Sequence, residues 1–344
     1  MIFTKNNLKI YEYISLFAAV FLIGLILSDP AICARGAKIG ITLCGGVLIP
    51  SLFPFAVPVI FIINTSAFKE TKHKVLFVFL LSLIGGYPIG AKLISELYKS
   101  GGIDIKTAKK ILPFCINAGP AFVVIAVGRG ILKNIMLGYI LLAAQSIAAV
   151  LIAVCFIHKE LFISNKCQKS MAPVSTADNL VLSVSSAAGA TITLCSYVII
   201  FSVINEYINT FSNSFAGLKY LIFITEITSA TKSTDNIYII SFLLGFAGAS
   251  ILLQVVSLTD CIKVSAPRLI VFRVLHGALS ALLTKFMITT FGVFVPTVSN
   301  GVAAVQKPVY TSVSLTVSLI IMALLFIIGL GSKKFSGNIL KDML

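Results

Sequence analysis

The sequence predicts an all-α polytopic membrane protein of about eight transmembrane helices, built as two related halves with broken or re-entrant helices. The composition indicates a membrane protein, because 58% of the residues are hydrophobic and 11% are charged, whereas soluble domains carry roughly 25% charged residues. Apolar runs long enough to span a bilayer recur along all 344 residues. Each half of the chain contains a similar nine-residue block followed by a glycine-interrupted helix, and this predicts an internal repeat.

The apolar segments define the predicted elements in chain order. They lie near residues 10–28, 40–63, 75–97, 111–128, 134–157, 180–208, 236–258, 268–293 and 311–331, with a shorter segment at 217–229. The first is expected to be a retained helix, because no small-x-small cleavage site follows it. The segments at 75–97, 111–128 and 217–229 are short or interrupted, so that each either spans or re-enters the membrane.

The segment at 75–97 contains the most informative interruption, Gly85-Gly86-Tyr87-Pro88-Ile89-Gly90. A break in a membrane helix frees backbone groups that hydrocarbon cannot satisfy, so they must face protein or a water-filled cavity. Broken helices that carry ionisable residues form the solute sites of many transporters. The sequence therefore predicts a binding site at this break.

The two halves show similar blocks in the same order. Residues 41–49, ITLCGGVLI, resemble residues 192–200, ITLCSYVII, and each block precedes a glycine-interrupted helix, at Gly86–Ala91 and at Gly245–Ser250. Matching broken helices in two halves indicate a substrate site between repeats. The positions of the basic loops place the two blocks in opposite orientations, which predicts an inverted repeat.

This pattern divides the chain into five predicted regions. They are an N-terminal transmembrane helix at 1–35, a first repeat at 36–160, a basic loop at 161–177, a second repeat at 178–293, and a C-terminal transmembrane helix with a basic tail at 294–344.

The net charge is +15, from 27 Lys and Arg against 12 Asp and Glu, and most of it lies in short loops. This distribution is typical of positive-inside topology and attraction to anionic lipid, and it does not indicate nucleic-acid binding. Part of the excess could instead attract an anionic solute. The seven Cys form no CxxC pair, and the three His do not cluster with them at ligand spacing. We therefore expect no metal, no cofactor and no enzymatic activity.

Several motifs together resemble a known family. The residues Pro50–Phe55, Gly86–Lys92, Asn117–Phe122, Glu226–Thr228 and Arg273–Gly277 are similar to sporulation integral membrane proteins of the YlbJ type, within the nucleoside-recognition (Gate) superfamily. The resemblance runs from about residue 36 to residue 283. It implies transport of dipicolinate across the outer forespore membrane, in a multi-pass protein of the bacterial cell membrane.

The candidate substrate-binding residues lie at the breaks and on the polar positions of nearby apolar segments. They are Gly85, Gly86, Tyr87, Pro88, Gly90, Lys92, Glu96, Asn117, Gly119, Pro120, Glu226, Thr228, Gly245, Gly248, Ser250, Gln254, Arg273 and His276.

Each charged candidate has a structural alternative. Lys92 could hold an anion, or it could pair with Glu96 one helical turn away. Glu226 and His276 are candidates for proton coupling, although passive transport is equally open. Glu226 could instead form a structural ion pair with Arg273. Arg273 could bind a carboxylate or anchor its helix. Asn117 could bind the solute or cap a helix.

The expected function is that of a transporter or channel for a small organic anion, with dipicolinate first by resemblance. One alternative is a nucleoside transporter, and another is a non-transporting membrane scaffold needed for spore formation. Membrane lipid is an expected partner, and a homo-oligomer is left open.

Overall fold

The computed structural model describes residues 5–65, 68, 71–162, 175–212, 216–232 and 234–291, and every regular element in this part of the chain is helical. The α-helices are α1 (Lys5–Ser28), α2 (Pro30–Leu43), α3 (Ile49–Asn64), α4 (Lys74–Gly85), α5 (Ile89–Lys99), α6 (Ile105–Ile111), α7 (Ile135–Phe162), α8 (Thr176–Ser212), α9 (Ile222–Thr225), α10 (Ile227–Lys232), α11 (Ile237–Phe246), α12 (Gly248–Leu258) and α13 (Ala266–Phe291). Two π-helices, π1 (Cys44–Leu48) and π2 (Ala121–Ile131), and two 3-10 helices, Leu112–Phe114 and Ala216–Leu221, lie between them.

Four helical stretches within the described residues are long and apolar enough to cross a membrane: Ile135–Ile157, Thr176–Ser212, Ile237–Leu258 and Ala266–Phe291. A pair bent by 105°, Leu16–Ser28 with Pro30–Gly46, raises the number to five if the pair is counted as one span. Large apolar side chains such as Phe17 and Leu182 are more than half exposed on the outer surface, as expected where helices meet lipid. The long apolar helices indicate a multi-pass integral membrane protein.

The remaining apolar segments are divided into shorter pieces, so the described residues supply four or five of the eight expected spans. The segment at 75–97 splits into α4 and α5 around Gly86–Pro88, and the segment at 111–128 becomes a 3-10 turn, a loop and π2. Glycine and proline cause these interruptions, because glycine favours non-helical dihedrals and proline lacks an N–H group. The predicted segment at 311–331, and the boundaries drawn at 161–177 and 294–344, lie wholly or largely outside the described residues.

Besides the bend at Asp29, the described residues contain helix breaks at Gly86–Pro88, at Ala247 and at Glu226, which we call the first, second and third breaks. Gly86 and Ala247 have positive φ angles of 73° and 79°, and Glu226 has extended backbone dihedrals. The second and third breaks pack against each other, since a Cβ atom on Gly248 would lie 3.5 Å from the carbonyl oxygens of Ile224 and Thr225.

Helices α2 and α8 form the closest backbone packing on the N-terminal side. A Cβ atom added to Gly36 would lie 2.6 Å from Val203 Cα, and one on Gly40 would lie 2.6 Å from Ile199 Cα. One turn further, Cys44 contacts the carbonyl oxygen of Cys195 at 3.7 Å. The residue numbers rise on one helix as they fall on the other, so the two helices are antiparallel. Small residues four apart permit this approach.

Helix α13 packs in the same manner against α11. A Cβ atom on Gly245 would lie 2.5 Å from Gly277 Cα, and the Ser241 and Thr284 hydroxyls lie 2.8 Å apart. Arg273, His276, Ser280 and Thr284 are all buried on one face of α13. Helix α13 therefore presents a polar stripe to the protein interior and an apolar surface to lipid.

Candidate functional site

A cavity of about 130 Å³ lies where the helix break at Gly86–Pro88 meets the break at Glu226. It is lined by Leu48, Leu52, Phe55, Ile84, Gly85, Gly86, Tyr87, Gly119, Pro120, Ala121, Phe122, Leu194, Val198, Glu226, Ile227, Thr228 and Ile251. We call this the central cavity. Its walls are mostly apolar and aromatic, with a few polar groups, as is typical of small-molecule sites.

The first break forms one wall of the central cavity together with the loop that precedes π2. Gly86 and Gly119 touch through their backbones, because a Cβ atom on Gly86 would lie 2.6 Å from Gly119 N. Gly85, Tyr87 and Pro120 complete this wall. The structure therefore brings these residues together in one wall of the cavity.

Glu226 supplies the only charged side chain among the residues that line the central cavity. The residue is 3% exposed, and it occupies the break between α9 and α10, where its backbone is extended. The Thr228 N–H donates a hydrogen bond of 2.8 Å to Glu226 Oε1. The break thus places Glu226 at the edge of the cavity, with one carboxylate oxygen held by the backbone of its own segment.

The second break, at Ala247, does not line the central cavity, and the helix end beside it is held by side chains from other segments. Tyr87 OH donates to the Leu244 carbonyl oxygen, and the Arg273 guanidinium donates to the Gly245 carbonyl oxygen. These carbonyls lie at the C-terminal end of α11, where the helix leaves acceptors without intrahelical partners and carries partial negative charge. Tyr87 and Arg273 therefore supply hydrogen-bond donors to two of the last carbonyl groups of α11.

Lys92 and Glu96 lie away from the central cavity. Lys92 Nζ lies 2.8 Å from Glu96 Oε1, and Ser186 Oγ on α8 donates to the same oxygen at 3.2 Å. Lys92 instead lines a second cavity of about 10 Å³ with Pro88, Ile89 and Thr191 among others. The structure gives Lys92 a carboxylate partner within its own helix.

Asn117, Arg273 and His276 surround a third cavity of about 10 Å³. Asn117 Nδ2 donates to the Phe114 carbonyl at 3.0 Å and to Ser82 Oγ at 3.2 Å. His276 Nε2 lies 2.9 Å from the Gln145 carbonyl oxygen, and Gln145 Nε2 donates to the Ala118 carbonyl at 2.6 Å. These polar side chains tie α13 and α7 to the loop behind the central cavity.

The remaining candidates serve packing, Ser250 and Gln254 beside the second break and Gly90 beside the first. Gln254 Nε2 donates to Ser250 Oγ at 3.2 Å, and both side chains are buried on α12. Gly90 lies against backbone, since a Cβ atom there would lie 1.8 Å from the Cys115 carbonyl oxygen. Gly245, Gly248, Gly90, Ser250 and Gln254 do not line the central cavity.

The sequence missed the apolar wall of the central cavity. This wall comes from π1, α3 and α8, through Leu48, Leu52, Leu194 and Val198. Phe122 of π2 also lines the cavity. No chemical signal distinguishes these residues from other apolar residues in the chain. The one available hint was that residues 41–49 and 192–200, which resemble each other, lie next to or within this wall.

Comparison with known proteins gives one distant relative. A segment of 140 residues is 26% identical to the sporulation integral membrane protein YlbJ of Bacillus subtilis (strain 168), and the match covers 37% of this chain and 34% of that protein. The match thus spans about a third of the relative's length. No family model matches the chain, and no solved structure matches it. The chain is therefore a helical membrane protein distantly related to YlbJ.

Proposed function

We propose that this protein is a multi-pass membrane transporter that binds a small ring-shaped solute in the central cavity. The observation that carries the proposal is the position of the cavity, which lies between the break at Gly86–Pro88 and the break at Glu226. Non-helical backbone inside a membrane protein is tolerated where it is buried or lines a cavity, and transporters place solutes at such breaks.

Dipicolinate is the first candidate solute. The family resemblance implies it, and the size of the cavity is compatible with it. A cavity of roughly 150 Å³ holds a benzene ring, so the central cavity, at about 130 Å³, has room for about one six-membered ring. On this proposal the protein moves dipicolinate across the outer forespore membrane.

A nucleoside is the second candidate, and the charge of the cavity favours it. Glu226 is the sole charged lining residue, while Lys92 and Arg273 lie outside the cavity. A carboxylate accepts hydrogen bonds from hydroxyl and N–H groups of a neutral solute. However, a base joined to a ribose is larger than one ring, so the cavity would have to widen to admit it.

We also propose that the protein crosses the membrane about eight times and consists of two inverted halves. The contact between Cys44 and Cys195 supports this, because the two residues are equivalent in the similar blocks at 41–49 and 192–200. Equivalent residues meet where a symmetry axis passes, and the antiparallel packing of α2 and α8 is the arrangement that an axis in the membrane plane produces.

Superposition within an experimental structure checks this arrangement. Residues 187–283 should fit on residues 36–128 after a rotation of about 180° around an axis in the membrane plane. A rotation around the membrane normal would contradict the proposed inversion.

The proposed function is tested by flux into proteoliposomes that contain the purified protein. Labelled dipicolinate, uridine and inosine are offered separately, and protein-free liposomes serve as the control. Dipicolinate should enter faster than either nucleoside, because one ring with two carboxylates needs less space than a base joined to a ribose.

If a nucleoside enters faster than dipicolinate, the proposed solute is a nucleoside and not dipicolinate. If none of the three solutes enters, the transport proposal fails and the scaffold interpretation remains. For a scaffold, the broken helices and buried polar groups would have structural roles alone.

A further inference from the structure

The third cavity lies between α7, α13 and the loop that follows the 3-10 turn at Leu112–Phe114. It measures about 10 Å³, and its lining includes Phe114, Asn117, Ala149 and Arg273. A cavity needs roughly 10–15 Å³ of probe-occupied volume to hold a water molecule. The third cavity therefore has room for one water molecule and for no larger solute.

Asn117 carries an acceptor atom that the described residues leave unpaired. Its Nδ2 donates to the Phe114 carbonyl at 3.0 Å and to Ser82 Oγ at 3.2 Å. The Phe114 carbonyl can only accept a hydrogen bond, so the side-chain amide must point its nitrogen toward that carbonyl. Asn117 Oδ1 is buried, and no described residue donates a hydrogen bond to it.

Arg273 adds an unpaired donor to the same cavity. Its guanidinium is buried and donates to the Gly245 carbonyl through Nη2. Its Nε is also buried, and no described residue accepts a hydrogen bond from it. His276 lines the cavity too, but its Nε2 lies 2.9 Å from the Gln145 carbonyl oxygen. Buried donors and acceptors are costly when unpaired and are almost always satisfied in folded proteins.

These two atoms determine the chemistry of a ligand in the third cavity. The Arg273 guanidinium repels a cation, and the lone pairs of Asn117 Oδ1 repel an anion. A neutral molecule with one heavy atom that both donates and accepts a hydrogen bond satisfies both groups. Water has this chemistry, and buried water in proteins binds to polar groups that otherwise lack partners.

We propose that the third cavity binds one structural water molecule, which accepts a hydrogen bond from Arg273 Nε and donates one to Asn117 Oδ1. The water joins α13 to the loop whose Gly119 and Pro120 line the central cavity. Such bridging waters are nearly as favourable in enthalpy as direct hydrogen bonds. The site lies outside the central cavity, so the proposal does not depend on transport or on the identity of a solute.

Radiolytic footprinting of the purified wild-type protein tests the site. Hydroxyl radicals formed from a bound water oxidise the side chains beside it, whereas buried side chains without water nearby are protected. Phe114 lines the third cavity and is 4% exposed, while Phe79 is 2% exposed and lines none of the three cavities. Mass spectrometry should therefore find oxidised Phe114 several-fold more often than oxidised Phe79.

Ala149→Ser is expected to displace the water. Ala149 is buried on α7 and lines the third cavity, and a serine hydroxyl has about the size of a water molecule and the same ability to donate and accept. Oxidation of Phe114 should fall to the level of Phe79. Ala153→Ser is the matched control, because Ala153 is buried one turn further along α7 and does not line the cavity. It should keep the wild-type oxidation of Phe114.

Equal oxidation of Phe114 and Phe79 in the wild-type protein would overturn the proposal, and so would unchanged oxidation of Phe114 in Ala149→Ser. A structure at a resolution that shows ordered water gives an independent check. It should contain one density peak within roughly 2.7–3.2 Å of both Arg273 Nε and Asn117 Oδ1. An empty cavity, or a direct hydrogen bond between these two atoms, would also overturn the proposal.

Discussion

At the scale of single residues, two buried ionisable side chains of this protein have different surroundings. Glu226 lines the central cavity, whereas Arg273 donates to the Gly245 carbonyl at the end of α11. A buried charge needs hydrogen-bonding partners to offset the loss of water. Arg273 finds one at the negative end of α11, which offsets part of the cost of burying its guanidinium.

Lys92 shows why residue type alone does not identify a binding residue. The motif that contains it lies beside the break, and a cation there suggested an anion site. In the folded protein Lys92 and Glu96 face each other across one helical turn, 2.8 Å apart. The i, i+4 spacing of Lys92 and Glu96 predicted that the two could pair. Whether that face of the helix points into the cavity depends on long-range packing, which the spacing does not show.

We therefore predict that Lys92→Ala changes solute affinity by less than about threefold, which corresponds to under about 0.7 kcal/mol. The physical reason is that Lys92 lies outside the central cavity and is already paired with Glu96. Equilibrium binding of labelled dipicolinate to the purified protein measures this. A loss of tenfold or more would place Lys92 in contact with the solute.

At the scale of elements, the sequence located the helices and their breaks more reliably than it located contacts. Helices α7, α8 and α13 follow from long apolar runs, and the break at Gly86–Pro88 follows from its glycines and proline. The π-helices could not be predicted from the sequence, and neither could the distribution of the candidate site residues over the three cavities described above. Both depend on how distant segments pack. The apolar cavity wall at Leu194 and Val198 gave no chemical signal at all.

The contact between Gly86 and Gly119 predicts a sharp dependence on side-chain size. In Gly86→Ala the new Cβ atom would overlap Gly119 N, at 2.6 Å, and the residue would have to keep a φ angle of 73°. With ψ at −171°, this backbone conformation is essentially restricted to glycine and costs another residue roughly 1–3 kcal/mol before any overlap is counted. We expect a lower melting temperature of the detergent-solubilised protein and loss of solute flux.

Gly189→Ala is the control for this substitution. Gly189 lies within α8 and has nothing within 4 Å of the position of a Cβ atom, and alanine is favoured over glycine in a helix by roughly 0.5–1 kcal/mol. The control should keep both stability and flux. If Gly86→Ala behaves like Gly189→Ala, the two loops do not touch as described.

At the scale of the whole molecule, the central cavity joins elements from both halves of the chain. Its lining comes from α3, α4 and π2 on one side and from α8, α10 and α12 on the other. Movement of the two halves against each other would change the size and exposure of the cavity, which is how transporters alternate access to a fixed site. Binding in this cavity is therefore the central claim.

The absence of tryptophan from the chain permits a direct measurement of that claim. Phe122→Trp places one indole in the lining of the central cavity, and Phe286→Trp places one on the outer surface of α13, where Phe286 is 63% exposed. Each single-tryptophan protein is titrated with dipicolinate while the emission spectrum is recorded. The Phe286→Trp protein corrects for light absorbed by the solute.

The account predicts a saturable change in the emission of the Phe122→Trp protein and none in that of the Phe286→Trp protein beyond absorption. Uridine should give a weaker change at the same concentrations, because it exceeds the space for one ring. Identical titration curves for the two proteins, combined with dipicolinate flux, would contradict the account, since the solute would then cross by a route other than the central cavity.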